Sequence, residues 1–498
     1  MTISDSDSSV AVSPAHPQRT LGTWNIVVLI IAAMTPLSLV VGTLPLGLGF
    51  GGPSTAAMCL ISGAVIWVFC VGYGQMVRRI NRPGGFYSYI TRGLGRPIGV
   101  ATGVVAAVGY TISLITAATV QAVVTRDILA STMSVHVDWR WLLVVQTAIV
   151  AIAAWHHIDF NARLLTVMVV VEVITIICLV IGIIANHGIG VLSFSTFSPH
   201  VFTIGDWQVA FIFAILCFQG YEAGAMYAPE AKRPEKTVPR ALYGALVILT
   251  GTVALLAWAL TGMSGAENQM RDVADQGFTG YIFATIQDNL GMFGLRVVSV
   301  LVIVAQLACS IGVTSFSARY LNGLAKDGVL PSVLAKSNRH NVPSTGIVLL
   351  AVLSIVTPLA LAAVGVDPYT QLSSAGFGFG ALVATTIQAI ASVAVIAYFF
   401  REGRGDIAWW KTTLAPAVAA ILLVVALIIE INGFAYITGQ SVAWTTYIPW
   451  VLPLLWAAGA GLALYLKLRR PRVYAGLAAG DTAEEAEVLR SARLAAQE

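Results

Sequence analysis

The stretch FAILCFQGYEAGAMYAP, residues Phe213–Pro229, interrupts an apolar run with Gly220, Glu222 and Gly224. Glycine weakens a helix because its backbone is so free. An ionisable residue at membrane depth costs about 2.5–3.5 kcal/mol on insertion scales, so it is a functional hypothesis by default. We therefore expect a membrane helix that breaks near Gly220, with charge handled beside the break.

The composition indicates a helical membrane protein. The chain has 498 residues, of which 57% are hydrophobic and 10% charged, and its mean hydropathy is +0.82. Soluble proteins carry about 25% charged residues. A transmembrane β-barrel would show short alternating segments, whereas these apolar runs are continuous and long enough to span a bilayer. We predict an all-α polytopic protein with twelve candidate spans, at residues 24–50, 54–77, 98–125, 140–157, 163–186, 207–228, 238–263, 294–322, 344–366, 373–400, 412–432 and 447–468.

The distribution of positive charge predicts the orientation. If the N-terminus lies inside, the cytoplasmic segments hold all but four of the 28 Lys and Arg residues, as the positive-inside rule requires. The net charge of +4 then reflects membrane anchors rather than nucleic-acid binding. We expect both termini in the cytoplasm, a disordered tail at 1–20 that is not a signal peptide, a transporter domain at 21–470 and a polar tail at 471–498. The four exceptions are Arg126, Arg140, Arg271 and Arg296.

The sequence lacks the common motifs for nucleotide and zinc binding, which argues against several classes of function. There is no GxxxxGK[ST] phosphate-binding loop and no HExxH zinc motif, and the five cysteines form no CxxC pair. The alternating Gly376, Gly378 and Gly380 lie in an apolar span, so we assign them to close helix packing. We therefore expect neither an enzyme nor a metal or cofactor site, but a transporter driven by a gradient.

Two interrupted spans predict where substrate binds. Span one reads AAMTPLSLVVGTLPLG (Ala32–Gly47), and Pro36 within it lacks an N–H and disfavours a continuous helix. The second interrupted span, at Gly220, follows five spans later. Secondary transporters bind substrate between such broken helices in inverted repeats, and half-helix ends suit a zwitterion or an amine.

Four motifs resemble one family. They are PGGFYSYITRGLG (Pro83–Gly95), FQGYEA (Phe218–Ala223), PEAKRPEKTVPRAL (Pro229–Leu242) and SFSARYLNGLAKDGVLP (Ser315–Pro331). Over about residues 24–400 the chain resembles amino-acid permeases of the amino acid–polyamine–organocation (APC) superfamily. The resemblance implies a LeuT-type fold with a five-plus-five inverted repeat and discontinuous helices 1 and 6. It also implies substrate contacts by Thr35, Pro36, Ser38 and Val41 of span one and by Cys217, Phe218, Gln219, Gly220, Tyr221 and Glu222 of span six. In place of the Gly-x-Gly of many members, span one reads TPLSLVVG.

Two acids are candidates for proton coupling. The resemblance implies that Glu222 contributes to amine recognition or proton coupling, with bracing of the unwound backbone as the alternative. Glu172 lies mid-span where some proton-coupled members have a lysine. Burial favours a neutral carboxyl, so Glu172 is either a proton carrier or a permanently protonated structural group. A sodium site formed by span one with Ser310, Thr314 and Ser315 is a weaker possibility.

The sequence thus predicts a secondary transporter of the cytoplasmic membrane. We expect proton-coupled symport of amino acids or organic amines by alternating access, with the bilayer, a small-molecule substrate and a proton as partners and no nucleic acid. An amine or amino-acid antiporter is the alternative within transport. A transporter-fold nutrient sensor is the alternative from another class.

Overall fold

The regular structure in the described part of the computed structural model consists of helices and one β-bridge, between Leu21 and Ala231. It describes residues 21–80, 85–156, 162–221, 224, 231–339, 342–438 and 443–477. The first helices are α1 (Thr23–Met34), α2 (Pro36–Gly42), α3 (Thr55–Arg79), α4 (Gly85–Leu94), α5 (Arg96–Met133), α6 (Trp139–Trp155), α7 (Ala162–His187) and α8 (Trp207–Leu216). The others are α9 (Pro234–Ser264), α10 (Gln269–Gln276), α11 (Phe278–Lys326), α12 (Ser344–Ala363), α13 (Ser374–Glu402), α14 (Ala415–Gly433), α15 (Val451–Arg469) and α16 (Pro471–Gly476).

Short helical turns connect these helices. A kink at Gly291, with φ 71° and ψ 177°, divides α11 into a first segment and a membrane-spanning segment. The turns are Leu44–Leu46, Gly47–Gly51, Ile189–Leu192, Phe194–Phe197, Pro199–Thr203, Ser332–Ala335, Pro368–Ser373, Trp410–Leu414, Phe434–Tyr436, Ala443–Tyr447 and Ile448–Trp450.

Ten helical segments of the described chain are long and apolar enough to cross a membrane. They confirm the predicted polytopic membrane protein. The shorter apolar helices α6 and α8 occupy the positions of predicted spans four and six. The total of twelve spans therefore stays a prediction, because one of these two helices is only ten residues long.

The helices pack in two groups with the broken span between them. In the first group α3 packs on α8 and α9, and α1 packs on α9. In the second group α5, α6, α11 and α12 contact one another. Because α1 packs on α9 whereas α2 packs on α11, the break between α1 and α2 lies where the two groups meet.

The glycine run of α13 packs closely against its neighbours, as the sequence predicts. A Cβ on Gly376 would lie 2.1 Å from Thr116 Oγ1 of α5, and one on Gly380 would lie 2.7 Å from Ser113 Oγ. A Cβ on Gly378 would lie 2.1 Å from Ile437 Cδ1. Helix α13 therefore approaches both α5 and the turn after α14 at distances that only glycine permits.

The helix that follows the last predicted span, α16, packs against the start of α5. The guanidinium of Arg96, at the start of α5, donates to the carbonyl of Ala475 at 2.8 Å and lies 5.8 Å from the ring centroid of Tyr474. The predicted polar tail at 471–498 thus begins with a docked helix, α16. The predicted tail at 1–20 and the remainder of the C-terminal tail lie outside the described residues.

Candidate functional site

The first broken helix lies where the sequence predicts it. Helix α1 ends at Met34, Thr35 adopts a left-handed conformation with φ 44° and ψ 75°, and α2 begins at Pro36. Left-handed backbone is costly for a residue other than glycine. Pro36 explains the position, because it has no N–H to donate to the preceding turn.

Glu172 of α7 binds the exposed end of the second half-helix. In an unbroken helix the amide of Leu37 would donate to the carbonyl of Ala33. Here the Leu37 amide donates to Oε2 of Glu172 instead, at 3.3 Å. Only 2% of Glu172 is exposed. The acid that the sequence singles out mid-span therefore lies at the break of span one, 135 residues away in the chain.

The two breaks touch each other. A Cβ on Gly220 would lie 3.3 Å from the carbonyl oxygen of Ala33 and 3.8 Å from Met34 Cγ. Gly220 itself has φ 106°, a conformation that only glycine adopts readily. The Ala33 oxygen accepts from Cys309 Sγ of α11 at 3.6 Å, and a thiol is a weak donor. The freed carbonyl of span one thus faces the glycine of span six.

The first half of span six ends in a tight turn. Asp206 caps the start of α8 by accepting from the amides of Gln208 and Val209, and α8 ends at Leu216. From there the amide of Gln219 donates to the carbonyl of Leu216 at 2.9 Å. Glu222, which the sequence predicts beside this break, lies outside the described residues.

Gln219 connects the second break to α13. Its Nε2 donates to the carbonyl oxygen of Gly380 at 3.2 Å. Ser113 and Thr116 of α5 lie close to the same glycine run, and neither hydroxyl has a hydrogen-bond partner among the described residues. Sequence reasoning missed these two. Their signal is the i, i+3 spacing, which places both on one helix face.

The remaining predicted contact residues are shielded from solvent. Val41, Cys217 and Phe218 are fully buried. Tyr221 is also buried, and its ring lies edge-on to Phe69 of α3 at 6.2 Å between centroids.

Ser38 has a hydroxyl group without a hydrogen-bond partner among the described residues. It lies in the first turn of α2 and is half-buried. It is therefore a polar group next to the break that is available to a ligand.

Ser310 and Thr314, two of the residues predicted for an ion site with span one, contact α5 or line a cavity beside it. Ser310 Oγ of α11 donates to Gln121 Oε1 of α5 at 2.8 Å. Ser310 and Thr314 line a cavity of about 20 Å³ between α5, α6, α11 and α12, which has room for a water molecule. It is Cys309, not Ser310, that contacts the Ala33 carbonyl. Ser315 is half-buried, and the sodium site with span one stays a prediction.

Two of the sequence motifs meet at the other end of α11. The hydroxyl of Tyr87 in α4 donates to Oδ2 of Asp327, just past α11, at 3.1 Å. Burial and the neighbouring Asp327 carboxylate raise the pKa of the Tyr87 hydroxyl above its usual range. Tyr87 is thus a neutral donor that joins the loop after span two to the end of span eight.

Comparison with known proteins identifies the family. The sequence pattern of the amino acid permeases matches residues 21–457. The chain belongs to this amino acid permease family. It is similar to the branched-chain amino acid permease BcaP of Lactococcus lactis subsp. cremoris, with 25% identity over 62% of this chain and 68% of the relative. The probable amino-acid permease meu22 of Schizosaccharomyces pombe is 25% identical over 63% of this chain and 56% of the relative.

The fold also resembles a solved transporter. The structure of MHP1, a nucleobase-cation-symport-1 family transporter closed around bromovinylhydantoin, matches with a TM-score of 0.52. The match covers 88% of this chain and 99% of that chain at 13% identity, so it shows a shared LeuT-like fold alone. The family, together with the ten membrane-spanning helical segments of the described chain, identifies this permease as a multi-pass membrane transporter rather than an enzyme.

Proposed function

We propose that this permease imports amino acids or organic amines across the cytoplasmic membrane by proton-coupled symport. The observation that carries the proposal is the hydrogen bond from the Leu37 amide to Glu172 at the break of span one. The relatives named as amino acid permeases support the substrate class. The proposed architecture has twelve spans, a five-plus-five inverted repeat and both termini in the cytoplasm.

The substrate would bind where the two breaks touch. The carbonyl of Ala33, which accepts from the weakly donating Cys309 thiol, lies at the C-terminal end of α1, where a helix attracts an ammonium group. The Leu37 amide lies at the start of α2 and can donate to a carboxylate. The unpartnered hydroxyl of Ser38 adds a polar contact. This pair of opposite half-helix ends suits a zwitterion.

Competition for the Leu37 amide would couple the proton to the substrate. A carboxylate accepts a stronger hydrogen bond than a neutral acid does, and two carboxylates at one site repel each other. Protonation of Glu172 would therefore release its hold on Leu37 and admit the substrate carboxylate. After the permease opens inward, loss of the proton would restore the Glu172–Leu37 bond and expel the substrate. An inward proton gradient would drive this cycle.

Uptake into proteoliposomes tests the proposal. The purified permease would be offered a panel of labelled amino acids and amines, with and without an inward proton gradient. We expect uptake of at least one compound to rise with the gradient. Uptake only into vesicles preloaded with a related compound would show an antiporter instead, and binding without uptake would show a sensor.

A further inference from the structure

A second carboxyl group is buried in the peripheral helix α14. Glu430 lies in ALIIEING (Ala426–Gly433) and is 0% exposed. Its Oε1 accepts from Thr385 Oγ1 of α13 at 2.7 Å. Its Oε2 has no hydrogen-bond partner among the described residues. Nothing in the proposed transport cycle uses this acid.

The surroundings of Glu430 supply no neutralising charge. Within the described chain, α14 packs on α3, α8, α13 and its two flanking turns. Lys411 precedes Glu430 by about 28 Å of helical rise, and Arg401 follows Thr385, the partner of Glu430, by about 24 Å. The two arginines at the end of α3 lie beyond Gly72, which packs on Pro416 at the opposite end of α14. The titratable and charged residues on these elements are Cys59, Cys70, Tyr73, Arg78 and Arg79 of α3, Asp206 at the cap of α8, Tyr398, Arg401 and Glu402 of α13, and Lys411 and Tyr436 in the flanking turns.

Such a site favours a bound proton. One neutral hydrogen-bond donor offsets little of the free energy that is lost when a carboxylate leaves water, and within the described chain no cation lies close enough to offset the rest. A neutral carboxylic acid avoids most of this desolvation cost. Thr385 suits both states, because a hydroxyl donates to a carboxylate and accepts from a carboxylic acid. The pair can therefore bind and release a proton without losing its hydrogen bond.

The helix that carries Thr385 also reaches the break of span six. Five residues before Thr385 in α13, the carbonyl of Gly380 accepts from Gln219. On the other side, Gly433 lies one turn beyond Glu430, and a Cβ on it would lie 2.8 Å from Gln208 Cβ at the start of α8. Glu430 thus lies between α13 and the first half of span six, and both contact the proposed substrate site.

We propose that Glu430 and Thr385 form a proton-binding site, distinct from Glu172, that fixes α13 against α14. Loss of the proton charges the interface and loosens it, so that pH acts on the break of span six through α13. The proton itself is the ligand. The effect on transport rests on the proposed function, whereas proton binding does not.

Infrared spectroscopy of the purified full-length permease tests proton binding without any transport. The difference between spectra at low and high pH should contain the carbonyl band of Glu430, which disappears as Glu430 loses its proton, beside that of Glu172. We expect Glu430→Gln to remove this band and Thr385→Val to shift it, because the hydrogen bond is lost. Thr385→Ser, which keeps the hydroxyl, and Glu402→Gln, which alters an exposed acid, should leave it in place. A pH-difference spectrum that loses no carbonyl band in Glu430→Gln would overturn the proposal even if transport proved unrelated to protons.

Uptake at varied pH tests the link to α13. Glutamine mimics the neutral acid, so Glu430→Gln should transport at low pH. As pH rises, its uptake should decline less than that of the wild type, because only the part of the decline that comes from Glu172 remains. Thr385→Val should change the profile as well, which provides a second variant if Glu430→Gln fails to fold. Profiles that match Glu402→Gln would overturn the link between this proton and transport, whatever the infrared titration shows of proton binding.

Discussion

Gly220 lies against the carbonyl oxygen of Ala33 so closely that a Cβ on Gly220 would be 3.3 Å from that oxygen. This contact joins the break of span six to the break of span one. Any substrate held by the two half-helix ends must bind beside it.

Substitution of Gly220 should therefore abolish transport. Gly220→Ala adds a Cβ at φ 106°, where a side chain is strained, and pushes against the Ala33 carbonyl. We expect at least a tenfold loss of uptake, with the protein still inserted in the membrane. Gly312→Ala in α11 is the matched control, because a Cβ there meets nothing within 4 Å. Equal uptake by both variants would show that the breaks do not need this contact.

The hydrogen bond from Gln219 to Gly380 should stabilise the arrangement of span six against α13. Gln219→Met keeps the side-chain length and removes the donor. A neutral hydrogen bond contributes about 1 kcal/mol, so we expect roughly a fivefold loss in initial uptake rate. Gln287→Met, at an exposed position on α11, controls for the change of chemistry. An unchanged initial uptake rate in Gln219→Met would show that the contact between α13 and span six does not affect transport.

The glycine run of α13 should matter for stability. In Gly376→Ala the new Cβ would lie 2.1 Å from Thr116 Oγ1, and overpacking of this kind costs about 1–3 kcal/mol. We expect a lower melting temperature in detergent. Thr116→Ala removes the hydroxyl and should restore part of the loss in the double variant. A double variant as unstable as Gly376→Ala alone would contradict the packing account.

Tyr87 and Asp327 should be coupled in a double-mutant cycle. A hydrogen bond to a charged group contributes about 1.5–3 kcal/mol. Tyr87→Phe and Asp327→Asn should each lower thermal stability, and the double variant should lose less than the sum of the two. Additive losses would show that the hydrogen bond between the two motifs contributes nothing to stability.

The sequence was sufficient to predict where the helices break. Pro36 and Gly220 are local signals, since each acts on the backbone of its own helix. The structure has the break at Pro36 in place, and it ends α8 four residues before Gly220. The partner of each broken end is a long-range contact. The sequence identifies Glu172 as an acid in an apolar span. Its hydrogen bond to the Leu37 amide depends on how α7 packs, and a local sequence pattern carries no information about that packing.

Helix rotation is the second property that the sequence left open. The sequence allows Ser310 to contribute to a sodium site with span one, which stays a prediction. In the structure its hydroxyl donates to Gln121 of α5, and the adjacent Cys309 contacts the Ala33 carbonyl. One residue corresponds to 100° of rotation about a helix, so neighbouring residues face different partners. Glu430 was missed although it is a single acid in an apolar run, the same signal that identified Glu172.

Proton-driven accumulation by Glu172→Gln tests whether Glu172 couples the proton to the substrate. Glutamine mimics the protonated acid, which leaves the Leu37 amide to the substrate carboxylate, but it carries no exchangeable acid proton. We predict that the variant binds substrate and exchanges it across the membrane but no longer accumulates it under an inward proton gradient, whereas Glu402→Gln accumulates it normally. Accumulation by Glu172→Gln at the wild-type level would contradict the account and leave Glu172 a structural cap of the broken helix.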